Sequence, residues 1–313
     1  MAGRLVVLVC SPRLPPGLLS WPAWQAVHRG PVMSADAGHR QLPALRAAGV
    51  DVAVVPVEQA RTRVAAGEPV VWLAVDDDEL VTEADEVVVA SYDPPGARLL
   101  DVVAVMDRLR SPGGCPWDAG QTHESLMPYL LEETYEAYQA LEDGDVAGLR
   151  EELGDVLLQV VFHARLAEEA GDAWSVDDVA GDLVDKLVRR HPHVFAGASA
   201  HDLEGSWEAL KQAEKGRTSV TDGVPLSQPA LSLAAKLQRR AARLGAPTPA
   251  YDGLGGQLWS LVARCREAGV DPEVALRATS RAFRDRLAAV EASTNGQAPT
   301  ASEWASLLAP EPR

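Results

Sequence analysis

The fold is decided by residues 122–171, whose sequence is THESLMPYLLEETYEAYQALEDGDVAGLREELGDVLLQVVFHARLAEEAG. Apolar residues recur there with helical spacing, and the pattern breaks at Gly144 and Gly171. Thr122 is placed to cap a first helix that ends near Gly144, and Asp145 to cap a second that ends at Gly171. We therefore predict two consecutive long helices that form an apolar hairpin.

Three carboxylates lie on one side of the first predicted helix. Glu132 and Glu136 are spaced i, i+4, and Glu133 and Glu136 are spaced i, i+3. On a helical projection Glu133 falls at the edge of the apolar stripe, beside Leu126. A charge at that position is unusual for a helix face that only meets water.

The second predicted helix carries an ExxD pair. Residues 149–166 are apolar almost all round, which is typical of a helix buried in a bundle. Asp155 projects between Phe162 and Leu166, and Glu152 lies one turn before it. Carboxylates buried without partners are costly, so a bound metal ion is the natural compensation.

The chemistry of these acids favours a hard divalent cation. Mg²⁺ prefers carboxylate and phosphate oxygens, and four or five acids suit two or more such ions. Either motif alone is more typical of a solvated helix face, but two on consecutive helices reverse that preference. A di-iron site is disfavoured because neither helix has the ExxH motif that it requires. His163 is more typical of a core or supporting histidine than of a ligand. The predicted metal ligands are Glu133, Glu136, Glu152 and Asp155.

The composition of the chain disfavours several classes of partner and of structural site. Forty-five acidic and 29 basic residues give a net charge of −16, which disfavours nucleic acid. Three scattered cysteines, Cys10, Cys115 and Cys265, indicate neither a disulfide framework nor a zinc ribbon. The opening apolar run is too short for a membrane span or a signal core, and no later run is long enough. We expect a cytoplasmic protein without a membrane or nucleic-acid partner.

The texture of the chain changes near residue 97. Before it, short β-branched runs predict a small parallel sheet, and these runs are Leu5–Val9, Val50–Val55, Val70–Val75 and Val87–Val89. This part has no GxGxxG motif and no P-loop, and the acidic run at 76–79 is more typical of a solvated loop than of a metal site. After the breaker at 92–96 the pattern is helical, beginning with Leu100–Leu109. The predicted domains are 1–97, small α/β; 98–217, helical, with both acidic motifs; and 230–313, helical.

The two acidic motifs together resemble the signature of MazG-type pyrophosphohydrolases, EExxE followed by ExxD. The resemblance extends, in the family's order, to GCPWD at 114–118, KLVRRHPHVF at 186–195, and Trp207 followed by Lys211. It covers roughly residue 98 to the end of the chain.

The resemblance implies an all-α enzyme that hydrolyses nucleoside triphosphates to the monophosphate and pyrophosphate. It implies Mg²⁺, with Mn²⁺ as a substitute, and association as a homodimer. The implied catalytic residues are Glu132, Glu133, Glu136, Glu152 and Asp155. Basic side chains for the phosphates are Lys186, Arg189, Arg190 and Lys211. Without the resemblance, a cation cluster at a helix C-terminus explains the basic residues about as well. Trp117 and Phe195 are candidates for stacking on the base, although lone aromatics more often belong to a core.

Two regions depart from the family pattern. Residues 230–308 resemble a second, reduced copy of the helical domain, in which the ExxD positions fall on Gly253 and Gly256. The N-terminal region stands where some members carry a tetrapyrrole methylase domain, but it is short and lacks the glycine-rich opening. We expect the second copy to be structural and the N-terminal region to be degenerate or regulatory. Alternative functions are a narrow pyrophosphatase for deoxyuridine triphosphate or a phosphoribosyl nucleotide, and a metal-binding scaffold.

Overall fold

The computed structural model describes residues 3–74, 78–170, 174–197, 219–293, 300–302 and 304. Two compact units divide the chain, Met1–Leu187 and Val188–Arg313. The predicted positions Trp207 and Lys211 lie outside the described residues. Within the described part, the predicted order of a small α/β region followed by helices is confirmed. None of the described helices combines the length and the apolar character needed to cross a bilayer.

The N-terminal region is a five-stranded parallel sheet in the order β3-β2-β4-β1-β5. Its strands are β1 Leu5–Val9, β2 Val32–Ser34, β3 Val52–Val54, β4 Val70–Ala74 and β5 Glu86–Val89. The connecting helices are α1 Trp21–Ala26, α2 Leu42–Ala47, α3 Val57–Ala65 and α4 Leu80–Glu83. The short strand β2 was not predicted, because its three residues follow Gly30-Pro31 and form no long β-branched run.

The two central strands are buried on both faces, as a parallel sheet requires. Val6 and Leu8 of β1 pack into one core cluster with residues of α1 and α2. Val7 and Trp72 belong to the cluster on the opposite face. The Trp72 indole N–H donates to Asp78 at 2.7 Å, and Asp78 also accepts from Leu80 N at 3.0 Å. This member of the acidic run therefore supports the start of α4.

The helical part of the first unit begins immediately after the sheet. Its helices are α5 Arg98–Arg110, α6 Pro116–Ala119, α7 His123–Asp143, α8 Val146–Glu168 and α9 Val176–Arg190. A short helix, α10 Pro192–Phe195, follows in the second unit. A small core of Met106, Leu126, Val161 and Phe162 joins α5, α7 and α8.

Arg13 fastens the sheet to the first long helix of this part. Its Nε and Nη2 donate to the Asp101 carboxylate on α5, at 2.9 and 2.6 Å, and its Nη1 pairs with Asp93. Asp93 also accepts from the Ser11 hydroxyl. The loop after β1, the breaker at 92–96 and α5 therefore share one polar network within the first unit.

The second unit contains three longer helices among its described residues. These are α11 Ala230–Arg243, α12 Gly253–Glu267 and α13 Pro272–Ser293. Gln238 of α11 is buried and donates from Nε2 to the carbonyl of Trp259 on α12, at 2.9 Å. Asp271 Oδ1 accepts from Glu273 N at 2.9 Å and so caps α13. The origin of this unit as a reduced second copy stays a prediction.

Candidate active site

The hairpin of α7 and α8 positions the acidic residues. Thr122 Oγ1 accepts from Ser125 N at 3.2 Å while Ser125 Oγ accepts from Thr122 N at 2.9 Å, which is a capping box at the start of α7. Gly144, at φ 68°, ends that helix in the left-handed region. Asp145 then accepts from Gly148 N at 3.0 Å and caps α8. Both predicted caps are present, and the connection holds the two helices against each other. The second helix ends at Glu168, earlier than the predicted Gly171.

Three of the predicted acids meet in one cluster. Glu133 and Glu136 of α7 and Glu152 of α8 each offer a carboxylate oxygen, and these atoms lie within 4.8 Å of one another. Glu133, Glu152 and Asp155 are half-buried, whereas Glu132 and Glu136 are exposed. The expectation that α8 is buried almost all round is wrong, because one side of this hairpin faces solvent.

The remaining two acids act on the cluster through their charge. Partial burial raises the pKa of Glu133, and the neighbouring charges of Asp155, Glu136, Glu132 and Glu152 raise it further, in that order. Partial burial also raises the pKa of Glu152, followed by the charges of Glu136 and Asp155. The charge of Asp155 thus raises the pKa of Glu133 on α7 and of Glu152 on α8. The charge of Glu132 raises the pKa of Glu133 only.

The donor set fits a hard divalent cation. All three converging groups are carboxylates, and no lysine or arginine in the described residues forms an ion pair with them. Arg150 and Arg165 of α8 lie near the acids in sequence, but among the described residues neither forms an ion pair with them. Arg165 instead pairs with Asp107 at 3.0 Å and Glu169 at 3.1 Å. A cation between the acids would relieve the repulsion that raises their pKa values.

The predicted phosphate-binding residues are only partly placed. Lys186 is half-buried near the end of α9 in the first unit. Arg189 and Arg190 end the same helix and belong to the second unit, and both make contacts of their own. Lys211 lies outside the described residues. Phosphate binding by these four side chains stays a prediction.

A buried glutamine and a half-buried histidine continue the acidic face of α8, and neither was predicted from the sequence to be a ligand. Gln159 lies one turn beyond Asp155, is 4% exposed, and its Oε1 has no hydrogen-bond partner. His163 lies one turn further, and its Nε2 is also buried and without a partner. The available signal was that Asp155, Gln159 and His163 follow one another at i, i+4 spacing on one helix face. Their burial, which makes the spacing informative, depends on the packing of other helices.

His163 is held by a second histidine on α7. The Nδ1 atoms of His123 and His163 lie 2.7 Å apart, and the rings stack with centroids 5.0 Å apart. Burial and then the charge of His123 lower the pKa of His163. The expectation of a supporting histidine is compatible with this geometry, although one of its ring nitrogens lacks a partner.

An aromatic pair lies beside the acids on α7, on the side away from the Gly144 turn. Trp117, from the GCPWD segment, meets Tyr129 edge-on with ring centroids 6.3 Å apart. Tyr129 precedes Glu133 by one turn on α7, so the two share a helix face. Trp117 is 55% exposed and is not part of a core. Phe195 is also exposed, in α10 of the second unit.

Residues 121–195 match the model of the MazG nucleotide pyrophosphohydrolase domain. The chain is 53% identical over 214 residues to the "Uncharacterized 26.1 kDa protein in blaB 3'region" of Streptomyces cacaoi, covering 66% of this chain and 88% of that protein. It is 40% identical over 218 residues to the "Nucleoside triphosphate pyrophosphohydrolase/pyrophosphatase MazG" of Thermotoga maritima, covering 61% and 84%. Identity to the "Nucleoside triphosphate pyrophosphohydrolase" of Mycobacterium tuberculosis is 48% over 199 residues, covering 63% of this chain and 59% of that protein.

Proposed function

Because this chain belongs to the MazG nucleotide pyrophosphohydrolase family, we propose that it hydrolyses nucleoside triphosphates to the nucleoside monophosphate and pyrophosphate, with Mg²⁺ as the cofactor and Mn²⁺ as a substitute. The observation that carries this proposal is the convergence of Glu133, Glu136 and Glu152 without a basic partner in the described residues. The named relatives support the broad activity. They lend no support to a narrow deoxyuridine or phosphoribosyl pyrophosphatase, or to a scaffold.

The acids have two tasks in this proposal. Glu133, Glu136, Glu152 and Asp155 would hold the divalent cation, which supplies charge neutralisation for the polyphosphate and polarises the bond that breaks. An acid not engaged with the cation orients the attacking water and accepts its proton. Glu132 is the candidate for that role, because it stands outside the three-oxygen cluster yet acts on Glu133.

The rest of the site would bind the two ends of the substrate. Lys186, Arg189, Arg190 and Lys211 are proposed to neutralise the pyrophosphate that leaves. Trp117 is proposed to stack on the base, because its ring is exposed and sits on Tyr129, one turn from Glu133. Replacing Trp117 by Ala should then raise KM more than it lowers kcat.

The test is a product analysis with purified protein. A panel of nucleoside triphosphates is incubated with and without Mg²⁺, and nucleotide and phosphate products are separated by chromatography. Monophosphate and pyrophosphate, formed only with metal and lost in Glu136→Gln and Asp155→Asn, support the proposal. Diphosphate and orthophosphate as products, or full activity in both variants, would contradict it.

We also propose that the chain forms a homodimer through the hairpin. Val146, Leu153 and Val160 recur every seventh residue on α8, and all three are exposed. Met127 and Leu131 make a similar exposed face on α7. Exposed apolar stripes of this kind mark association surfaces.

Light scattering should give twice the chain mass, and Leu153→Lys should give the monomer mass. A monomer in the unmodified protein at micromolar concentration would contradict the proposal.

A further inference from the structure

A cavity of about 220 Å³ opens at the carboxyl edge of the N-terminal sheet. It lies over the ends of β1, β2 and β4, and its wall includes Cys10, Asp36, His39, Arg40, Gln41 and Ala74. The chain leaves β2 toward β3 on one side and leaves β4 toward β5 on the other, so the connections diverge between these neighbouring strands. Such a switch point, at the carboxyl ends of the strands, is where open α/β sheets bind ligands.

The wall of the cavity is internally braced. Gln41 N donates to His39 Nδ1 at 3.2 Å, so the imidazole proton is on Nε2. That Nε2 donates to the carbonyl of Ala74 at 3.2 Å and ties the loop after β2 to the end of β4. Both ring nitrogens of His39 are therefore hydrogen-bonded within the protein, and the side chain holds the two loops together. Burial raises the pKa of Cys10 to about 11, so its thiol adds no charge to the wall.

Gln41, a residue of this wall, has a side-chain donor that no protein group uses. Its side chain is completely buried, and its Oε1 accepts from Gly17 N at 2.7 Å. Its Nε2 has no hydrogen-bond partner. A buried amide donor without an acceptor costs free energy, so such a group normally meets a protein acceptor, an ordered water or a bound molecule. An oxygen or nitrogen acceptor of a bound molecule would supply the missing partner.

Two charged side chains complete the recognition set. Arg40 donates from Nη1 to the carbonyl of Pro12 and so reaches from the loop after β2 to the loop after β1. Asp36 Oδ1 accepts from Gly38 N at 2.7 Å. Among the described residues neither makes an ion pair. The guanidinium therefore has further donors, and the carboxylate has a second acceptor, for a ligand.

We propose that this cavity binds a small metabolite that presents an oxygen acceptor next to an N–H donor. The acceptor faces Gln41 Nε2 and the Arg40 guanidinium, and the donor faces Asp36. The cavity is smaller than the roughly 300–1,000 Å³ typical of drug-sized ligands, so it suits a small metabolite or one part of a larger one. The lactam edge of a nucleobase and the zwitterion of a free amino acid share this chemistry.

The experiment measures binding to the full chain in EDTA, by calorimetry and by saturation-transfer NMR. One arm uses guanosine and uridine, which lack the polyphosphate that the hairpin acids would hold through a metal. The other arm uses the free amino acids. Binding in either arm at millimolar or lower concentration supports the proposal and identifies the source of the ligand. Absence of binding in both arms would overturn it.

Matched variants assign the binding to the cavity. Gln41→Glu keeps the acceptor for Gly17 N and replaces the donor, and Asp36→Asn keeps the acceptor for Gly38 N at an exposed position. Each should weaken binding at least about tenfold, the effect of one good hydrogen bond. Asp51→Asn, an exposed acid before β3, and Glu136→Gln in the hairpin should leave affinity unchanged. If Gln41→Glu does not fold, Asp36→Asn still decides. Unchanged binding in Asp36→Asn, or lost binding in Glu136→Gln, would overturn the assignment.

Discussion

The Nδ1 atoms of His123 and His163 lie 2.7 Å apart across the α7–α8 hairpin, so one imidazole must donate and the other accept. The pair cannot carry a proton on both of these nitrogens. Burial and the charge of His123 lower the pKa of His163 below its ordinary 6.5. The unfolded chain therefore takes up this proton at a higher pH than the folded chain does.

We expect His163 to reduce the free energy of unfolding as pH falls from about 6.5 through the lowered pKa, with no loss above 6.5. His163→Asn, which keeps a polar group near Nδ1, should remove this part of the pH dependence. Urea unfolding of both proteins in metal-free buffer, above and below pH 6.5, measures it. The control His28→Asn, at an exposed position, should show the same pH dependence as the unmodified protein. If the free energy of unfolding of His163→Asn changes with pH in parallel with that of the unmodified protein, His163 does not bind its proton differently in the folded and unfolded chains.

Mg²⁺ should stabilise the folded chain through the acidic cluster. Partial burial and then the neighbouring acidic charges raise the pKa values of Glu133 and Glu152 above 4.5, so their charged forms destabilise the folded chain at neutral pH. This penalty is relieved as pH falls through the raised values toward 4.5. Mg²⁺ at about 100 times its Kd should add about 2.7 kcal/mol at neutral pH, and less in acid, where protons compete. Thermal unfolding with and without Mg²⁺ measures the difference.

The matched variants for this measurement are Glu136→Gln and Glu267→Gln. The first removes one of the three converging carboxylates and should abolish most of the Mg²⁺ effect. The second removes the same charge from an exposed position at the end of α12 and should preserve it. Equal Mg²⁺ effects in the two variants would show that Mg²⁺ stabilises the chain by binding outside the hairpin.

Arg110 should be a strong determinant of stability in the helical part of the first unit. Its side chain is 3% exposed and makes two bonds to Glu169, at 3.0 and 2.7 Å. It also donates to the carbonyl of Asp118 and lies 5.4 Å from the centroid of the Phe162 ring. Lysine keeps the charge but lacks the planar fork that serves these partners together. Arg110→Lys should cost about 2 kcal/mol in urea unfolding, and Arg98→Lys, at an 85% exposed side chain, should cost little. Similar costs for both would refute this role.

The capping box of α7 predicts a smaller effect. Thr122→Ala removes the acceptor for Ser125 N and should lower stability by about 1 kcal/mol. Thr134→Ala removes only a hydroxyl that donates to the Leu130 carbonyl within the helix, at an exposed position. It should change stability by less than about 0.5 kcal/mol. Chemical unfolding of the two variants gives the comparison, and a Thr134→Ala cost equal to that of Thr122→Ala would contradict it.

Local chemistry made the hairpin predictable. Thr122, Gly144 and Asp145 act within one helical turn of their own positions, so the sequence is enough to place both helices. The convergence of Glu133, Glu136 and Glu152 also follows from helical spacing and a short connection. The strand β2 was missed because three residues carry too short a pattern, and only pairing with β3 and β4 defines it.

Burial was less predictable than position. The apolar character of residues 149–166 indicated a helix buried all round, yet Leu153 and Val160 are exposed in the single chain. Apolar spacing specifies a face but not whether a neighbour within the chain covers it. The unpartnered side-chain atoms of Gln159 and Gln41 could not be predicted for the same reason. Whether a buried amide has a hydrogen-bond partner depends on the residues packed around it.

The single turn at Gly144 also bears on how the acidic cluster forms during folding. Glu133, Glu136 and Glu152 belong to one continuous stretch, and their contacts span few residues along the chain. Contacts of short sequence separation require little loop-closure entropy and form rapidly. During synthesis the three acids can therefore meet soon after α8 leaves the ribosome, before the second unit has been translated. Assembly of the proposed metal site would then be an early event in the life of each chain.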